Sequence, residues 1–531
     1  MQPGQGQDVT PENEPAGGAV VELQVTDTAR AAGTPGLSDG ADASAVLARA
    51  GVRAGQVFVL GADGSYDGQL NRFFRELDGW GVRADSSIAA YSRDVMLFCR
   101  FLCCSRDGKS IWECDSGDLA AFKRVRLHGA QGQRVSVATW RRSISALDKW
   151  AAWALYEQLI EREPFRYIDK TVWTPSGAQR VRVNACSEPD PGPSPVNFIG
   201  FEDYLMWRDV GLRGRLPDGS ADPSWRGRHD ERNVVFADLL IYTGMRLSEA
   251  SSLLVAELPA AGAQAGAISV AASVAKRSRA RTVLAPRRLV RALHRYAAIE
   301  RGELVARVAA DGGYRVAGDT ILVRRAGPVS VTFADGSSVA AGKLDPAARR
   351  ALMLLTGDGE AAGPAALWLS TDGLPLAPSA WQSVFGRANA RCARFGLDLR
   401  VSPHTLRHSF AVHMLGLLLR QTVAALGEGY QAGSLTSAQA KRLLVGNPLR
   451  KLQLLLGHRN EATVYAYLDV LDEAQEIVAS ALERWETQAG AAQLAGLPRL
   501  QGSGGALDDD DDGGGGIAAG TEGDGRLGAL S

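Results

Sequence analysis

Four polar residues stand among apolar neighbours towards the C-terminal end of the chain. His404 and Arg407 lie in the run PHTLRHSFA, and His458 and Tyr467 lie in LLGHRNEATVYAYLD. Both runs otherwise have the apolar spacing of core helices. Burying histidine and arginine side chains is unfavourable unless they meet a partner. We therefore expect these residues to converge on an anion.

A second motif lies upstream, where TGMRLSEA places Arg246 three positions before Glu249. An arginine fork matches two phosphate oxygens, and an adjacent carboxylate can hold its plane. The alternative is an ordinary surface ion pair at a helix start. With TG-x-R-x-SE, H-x-x-R and LGH in this order, and Tyr467 nine residues after His458, the chain resembles the tyrosine recombinase (phage integrase) family.

The resemblance implies a role for each matching residue. Arg246 and Arg407 are the two catalytic arginines, and His404 handles the proton of the nucleophile. His458 hydrogen-bonds the scissile phosphate, and Tyr467 is the nucleophile. Tyr465 is the competing tyrosine, which the nine-residue spacing disfavours. The implied catalytic set is Arg246, Lys276, His404, Arg407, His458 and Tyr467, with Glu249 as a supporting carboxylate.

Lys276 lies in a basic loop between two predicted β runs, Ala267–Ser273 and Thr282–Ala285. The family places its general-acid lysine in this loop. Only eight of the 59 basic residues are lysines, and lysine releases its proton near neutral pH more readily than arginine does. The alternative is a DNA-backbone contact without a chemical role. The arginines of the same loop are predicted to bind DNA: Arg277, Arg279 and Arg281.

His404 and His408 are four residues apart, which is also the spacing of a zinc-binding helix. The metalloprotease motif requires glutamate after its first histidine, but Thr405 stands there, and Arg407 would repel a metal ion. We therefore predict neither a metal site nor a cofactor. His408 and His413 are expected to be structural.

Residues 65–165 are predicted to form a four-helix domain. Helices are expected from Asp67, after Asp85 or Ser86, from Leu119 to Leu127, and from Val137 to about Ile160. The basic residues at outward positions suit contact with DNA phosphates, as in the DNA-clamping core-binding domain of the family. The alternative is a helical bundle whose basic surface residues have no DNA-binding role. The predicted DNA-binding residues here are Arg93, Arg100, Lys123, Arg124, Arg141 and Arg142.

The rest of the chain divides by composition. Residues 1–55 and 489–531 are predicted to be disordered, and the proline-rich 166–200 region is predicted to be a linker. Residues 201–488 would form the catalytic domain, with insertions near 310–345 and 416–447. Its predicted elements are a helix from Asp230 to Tyr242, a helix over 287–309, β runs Ile321–Arg324 and Val329–Phe333, a strand Ala366–Ser370, and a helix from Ser379 to about Phe395.

Charge and cysteine content agree with a DNA-binding enzyme of the cytoplasm, associated with the nucleoid. The formal net charge is zero, but residues 51–488 contain 55 basic and 45 acidic residues, because both ends are acidic. The six cysteines form no CxxC pair, which is typical of a reducing compartment. No apolar run reaches membrane-spanning length, so no membrane partner is expected.

The expected fold is therefore mainly α with a small antiparallel β-sheet, in the two-domain tyrosine recombinase architecture of a helical core-binding domain and a mixed α/β catalytic domain. The resemblance implies a site-specific recombinase that cuts and rejoins double-stranded DNA through a 3′-phosphotyrosyl intermediate, without ATP or metal. Four protomers would act together, with a helix over Glu473–Trp485 packing on a neighbour. The alternatives are a catalytically inactive DNA-binding relative and a topoisomerase that uses the same chemistry.

Overall fold

A computed structural model describes residues 22–26, 49, 52, 56–61, 63–174, 177–189, 196–263, 265–275, 280–316, 320–431, 448–457, 462–465 and 467. The chain divides into two compact units, residues 1–410 with 455–457, and residues 411–454 with 458–531. The predicted helix at Glu473–Trp485 and the acidic tail lie outside the described residues. None of the described helices is long and apolar enough to cross a membrane.

Four helices form the first domain, as the apolar periodicity predicts. They are α1 (Gly68–Glu76), α2 (Asp85–Ser105), α3 (Ser116–His128) and α4 (Val137–Tyr156). Asp67 caps α1 by accepting hydrogen bonds from two backbone N–H groups of its first turn, and Ser136 caps α4 in the same way with one. Large aromatic side chains, including Phe73, Trp150 and Trp153, are fully buried between the helices. Burying these rings removes a large apolar surface from water, which favours folding of the bundle.

Strand structure appears in two segments where the sequence suggested none. Glu22–Val25 (β1), inside the segment predicted to be disordered, pairs antiparallel with Val57–Leu60 (β2). Tyr167–Thr174 (β3) and Gly177–Asn184 (β4) form a hairpin inside the predicted linker. The proline run led to the linker prediction, but the hairpin precedes that run, and β3 is rich in β-branched and aromatic residues, which favour strands.

The second domain surrounds a core of aromatic rings. Phe236 stacks on Trp381 with ring centroids 3.5 Å apart, and Trp368 meets both rings edge-on. The helices described from residue 201 onwards are α5 (Phe201–Gly211), α6 (Asp230–Thr243), α7 (Leu247–Ser251), α8 (Arg287–Ala298), α9 (Glu300–Ala310), α10 (Pro346–Ala351), α11 (Pro378–Arg394), α12 (Pro403–Gln431) and α13 (Ala462–Tyr465). Of these, α13 and the part of α12 after Phe410 belong to the second compact unit. Residues 448–456 are also helical. The single helix predicted over 287–309 is broken at Ile299, which separates α8 from α9.

The remaining strands form a hairpin and a separate sheet. They are β5 (Ala265–Val270), β6 (Arg281–Pro286), β7 (Ile321–Ala326), β8 (Ser330–Phe333), β9 (Ser338–Ala340), β10 (Leu352–Leu355) and β11 (Ala361–Pro364). β5 pairs with β6, and the others form a five-stranded sheet in the order β11-β10-β7-β8-β9. β10 pairs parallel with β7, a pairing that the sequence did not suggest.

The sheet occupies and extends the predicted 310–345 insertion, and it has a core of its own around Val323, Val331 and Leu352. The strand predicted at Ala366–Ser370 is wrong, because those residues make only isolated bridges, Leu254 with Ala366 and Leu369 with Pro375. Their apolar side chains belong to the buried core instead, which explains the misleading apolar run. α12 covers the first part of the predicted 416–447 insertion; residues 432–447 lie outside the described part.

Gly244 ends α6 and turns the chain towards Arg246. Its φ of 63° lies in the left-handed region, and a Cβ atom there would stand 2.3 Å from Cδ1 of Phe410. Both the conformation and the close approach therefore require glycine. The sequence predicted that the helix stops at this residue, and the structure confirms it.

We expect Gly244→Ala to destabilise the protein by at least ~1 kcal/mol, because alanine is strained at positive φ and its methyl group meets a buried ring. Gly302→Ala is the matched control, since Gly302 lies inside α9 and a Cβ there has its nearest neighbour at 3.7 Å. The control is expected to melt at the same temperature or higher. Equal melting temperatures for the two variants would contradict this account of Gly244.

Candidate active site

Arg246 stands at the start of α7, and Glu249 holds it there. The Glu249 carboxylate accepts a hydrogen bond from the backbone N–H of Arg246 at 2.7 Å and one from its Nη1 at 3.1 Å. The Glu249 side chain is fully buried, whereas the Arg246 side chain is 24% exposed. One carboxylate therefore fixes both the helix start and the guanidinium group, and the guanidinium still reaches the surface.

Arg281 is the second partner of Glu249. Its Nη1 donates to one carboxylate oxygen at 2.8 Å and its Nη2 to the other at 2.6 Å, a two-pronged contact. The sequence placed Arg281 on an exposed loop tip as a DNA contact; in the structure it is the first residue of β6 and its side chain is only 6% exposed. The predicted exposed position of Arg281 is therefore wrong, because its buried side chain pairs with Glu249.

The pKa of Glu249 follows from this environment. Burial alone would raise the pKa of the carboxyl group, but hydrogen bonds and charge from Arg281 and Arg246 outweigh burial and lower it. The carboxylate consequently stays ionised at neutral pH and keeps both arginines in place.

Arg407 connects the same region to a later segment of the chain. It lies on α12, is 4% exposed, and donates hydrogen bonds to the backbone carbonyls of Gly244 and, at 2.7 Å, Leu456. The carbonyl of the preceding residue, Leu455, accepts from Nε of Arg281 at 3.0 Å. Two guanidinium groups thus hold two consecutive carbonyls at the end of the 448–456 helix, where carbonyls lack helical partners.

Arg246, His404 and Arg407 line one cleft of about 710 Å³. The sequence predicted that these three residues meet, and they do. Residues of α11 that the sequence did not single out line the same cleft. Gln382, Gly386 and Asn389 recur at helical spacing along that predicted helix, which was the available signal. Asn389 also has a structural role, because its Nδ2 donates to the carbonyl of Val401 and its Oδ1 accepts from the backbone N–H of Val401.

The histidines of α12 contact each other. Nε2 of His408 lies 2.9 Å from Nε2 of His404, so one ring donates and the other accepts. His404 is exposed on the cleft, and His408 is half-buried behind it. Burial, followed by the neighbouring His404 and Arg407, lowers the pKa of His408 to about 4. His408 is therefore neutral at physiological pH and can serve as the partner that orients His404.

The remaining predicted catalytic residues, and two predicted DNA-binding arginines of the basic loop, lie in or beside undescribed segments. Lys276, Arg277, Arg279 and His458 are outside the described residues. Tyr467 belongs to the second compact unit, where its backbone N–H donates to the carbonyl of Val464. Its side chain is buried, whereas that of Tyr465 is 51% exposed.

The predicted DNA-binding residues of the helical domain differ in their surroundings. Arg93 and Arg124 are exposed, and Arg100 and Arg141 are partly exposed. Lys123 pairs with Glu188 at 2.6 Å, and Arg142 holds both oxygens of buried Asp94. Arg142 thus has a structural partner that the sequence did not reveal, and DNA contact by this set stays a prediction. Across the described ranges, no cluster of three or more His, Cys, Asp or Glu residues could hold a metal ion.

Two family models match the chain. The model of the phage integrase family matches residues 223–420, and that of the phage integrase N-terminal SAM-like domain matches residues 70–158. Together they span more than half of the sequence and include Arg246, His404 and Arg407. The chain belongs to the phage integrase family, the tyrosine recombinases, and has their architecture of a helical domain followed by a mixed α/β domain.

Solved structures of similar proteins were also found. XerH site-specific recombinase bound to difH substrate is 16% identical with a TM-score of 0.41, covering 78% of this chain and 85% of that one. Tn1549 transposon integrase with transposon right end DNA is 12% identical with a TM-score of 0.42, covering 78% and 98%. A lambda integrase dimer on a COC′ core site is 12% identical with a TM-score of 0.36, covering 75% and 93%. No curated protein matches the sequence.

The lowered pKa of His408 predicts how the stability of the folded protein depends on pH. The unfolded chain takes up this proton near 6.5, but the folded chain does so only near 4. The stability that depends on neutral His408 is therefore complete above pH 6.5 and is lost as the pH falls towards 4. We expect the melting temperature of His408→Gln to fall less than that of the wild type over this range. Parallel curves for the two proteins would contradict the assignment.

Proposed function

We propose that this protein is a site-specific DNA recombinase that cuts and rejoins DNA through a 3′-phosphotyrosyl intermediate. The observation that carries the proposal is the cleft in which Arg246 and Arg407 meet His404, with Arg246 held by a buried carboxylate. Guanidinium groups fixed before the substrate arrives suit an anion whose charge increases during the reaction. In this proposal the enzyme acts on double-stranded DNA and is found at the nucleoid.

The phosphodiester carries a negative charge that repels an attacking oxyanion. Arg246 and Arg407 would neutralise the two non-bridging oxygens and favour the pentavalent transition state. Arg246 is suited to this contact because Glu249 uses only part of its fork and leaves the remainder exposed. Arg407 also lines the cleft, and its hydrogen bonds to two backbone carbonyls fix the plane of its guanidinium group.

The proposed chemistry is a pair of in-line transfers. The phenolic oxygen of Tyr467 attacks phosphorus, its proton passes to His404, and the bond from phosphorus to the 5′ oxygen breaks. Lys276 protonates the departing 5′ oxygen, and His458 hydrogen-bonds the phosphate. The phosphotyrosine conserves the energy of the bond, so the 5′-hydroxyl of a second strand reverses the step without ATP. In the family such exchange involves four protomers on two duplexes, which we propose here as well.

A nicked duplex traps the intermediate, because the short strand released after cleavage diffuses away. We expect wild-type protein mixed with a pool of nicked duplexes of randomised sequence to yield a covalent protein–DNA adduct on a denaturing gel. Tyr467→Phe is expected to abolish the adduct, because it lacks the nucleophilic oxygen. Tyr465→Phe, the matched control two residues away, is expected to retain it.

The outcomes separate the alternatives. Adduct in Tyr467→Phe but not in Tyr465→Phe would overturn the choice of nucleophile. No adduct from the wild type would favour a DNA-binding relative without catalysis. If the adduct forms, sequencing the captured DNA gives a target, and joining of two different duplexes distinguishes a recombinase from a topoisomerase that only relaxes supercoils.

A further inference from the structure

We propose that Arg281 is a positioning residue that locks the arginine of the first motif and the chain leading into the LGH motif into one arrangement. This inference rests on the proposed function for its catalytic consequence, and on the geometry alone for its structural one. Arg281 lies 32 residues from Glu249 and 174 residues from Leu455 in sequence, yet it bonds both.

All three nitrogens of the Arg281 guanidinium have a partner. The two terminal nitrogens hold the two Glu249 oxygens at 2.8 and 2.6 Å, which fixes the plane of the carboxylate. The same carboxylate holds the backbone and Nη1 of Arg246. Rotation of the carboxylate would therefore move the Arg246 guanidinium, so Arg281 controls the orientation of Arg246 through Glu249.

The third guanidinium nitrogen, Nε, contacts the segment that leads into the LGH motif. Nε of Arg281 binds the carbonyl of Leu455, at the end of the 448–456 helix, and Gly457 follows with a φ of 66°. A Cβ atom at Gly457 would lie 3.0 Å from Cδ of Arg281, so the chain passes directly over the arginine stem. A positive group at a helix C-terminus also stabilises the helix. Arg281 therefore joins the end of this helix, at Leu455, to Glu249.

Lysine cannot reproduce this arrangement. An ammonium group is a single point of charge on a flexible stem, whereas the contacts of Arg281 need a planar fork with donors in three directions. Arg281→Lys keeps the charge and removes the geometry. The variant therefore separates positioning from simple neutralisation of Glu249.

Arg349→Lys is the matched control. Arg349 is equally buried, pairs with both oxygens of Glu257 at 2.8 Å, and donates to backbone carbonyls including that of Leu344. It lies in α10, and neither it nor Glu257 lines the cleft. Loss of a buried arginine fork should therefore affect stability in both variants, but only Arg281→Lys should affect the chemistry.

The first measurement is the single-turnover rate of adduct formation. Full-length protein in saturating amount is mixed with a nicked duplex whose sequence was recovered from the wild-type adduct. We expect Arg281→Lys to slow cleavage roughly 10- to 100-fold, because a small displacement of a phosphate-binding group is enough for that effect. DNA affinity should change little, and Arg349→Lys should cleave at the wild-type rate. Equal slowing in both variants would overturn the inference, since it would show only a loss of folding.

The second measurement does not depend on activity. Hydrogen exchange of the free proteins is followed in peptides covering residues 246–251 and 448–457. Arg281→Lys should accelerate exchange in both peptides. Arg349→Lys should leave exchange in the 448–457 peptide unchanged, because the contacts of Arg349 near the first peptide are with Ser252 and Glu257 and, among the described residues, none is with residues 448–457. Unchanged exchange in Arg281→Lys would overturn the inference. If the wild type forms no adduct, the proposed function fails, while this second measurement still decides whether Arg281 joins the two segments.

Discussion

The site depends on one buried carboxylate that two guanidinium groups share. Glu249 is fully buried, and burying a single charge of this kind is costly unless it is paired and hydrogen-bonded. Arg281 and Arg246 together supply four hydrogen bonds to its two oxygens. Because one negative charge serves two positive ones, this group of three side chains is cationic as a whole. Its exposed member is Arg246, so the surplus charge faces the cleft, where an anionic phosphate would complete it.

Backbone geometry delivers the other members of the site to the same place. Gly244 turns the chain by adopting a left-handed conformation, and its carbonyl accepts from Arg407. Gly457 also adopts a left-handed conformation, directly after the 448–456 helix. The last two carbonyls of that helix accept hydrogen bonds from Arg281 and Arg407. The arginines therefore have two functions in the proposed enzyme. Arg246 is available to substrate, Arg281 is committed to the protein, and Arg407 bonds the protein while it lines the cleft.

Much of this arrangement could be predicted from the sequence, and the rest depends on contacts between distant residues. The helices of the first domain follow from the spacing of Phe73, Trp150 and their neighbours, and the end of α6 follows from Gly244. Of the residues that line the cleft, Arg246, His404 and Arg407 were found because they belong to motifs, whereas Gln382 and Asn389 belong to none. Arg281 was misplaced because it stands in a segment with four basic residues that look alike in sequence, and only its tertiary contact with Glu249 shows that Arg281 is buried. The β3–β4 hairpin was missed because neighbouring prolines dominate the local composition.

The central claim is that Arg246 acts by neutralising charge on the scissile phosphate. The direct measurement compares cleavage by Arg246→Ala on a normal nicked duplex and on one whose scissile phosphate has a methyl group in place of one non-bridging oxygen. The methyl substrate has no negative charge to neutralise, so the variant should fail on the normal duplex and recover adduct formation on the methyl one. An Arg246→Ala protein that is equally defective on both substrates, while the wild type cleaves them, would contradict the claim.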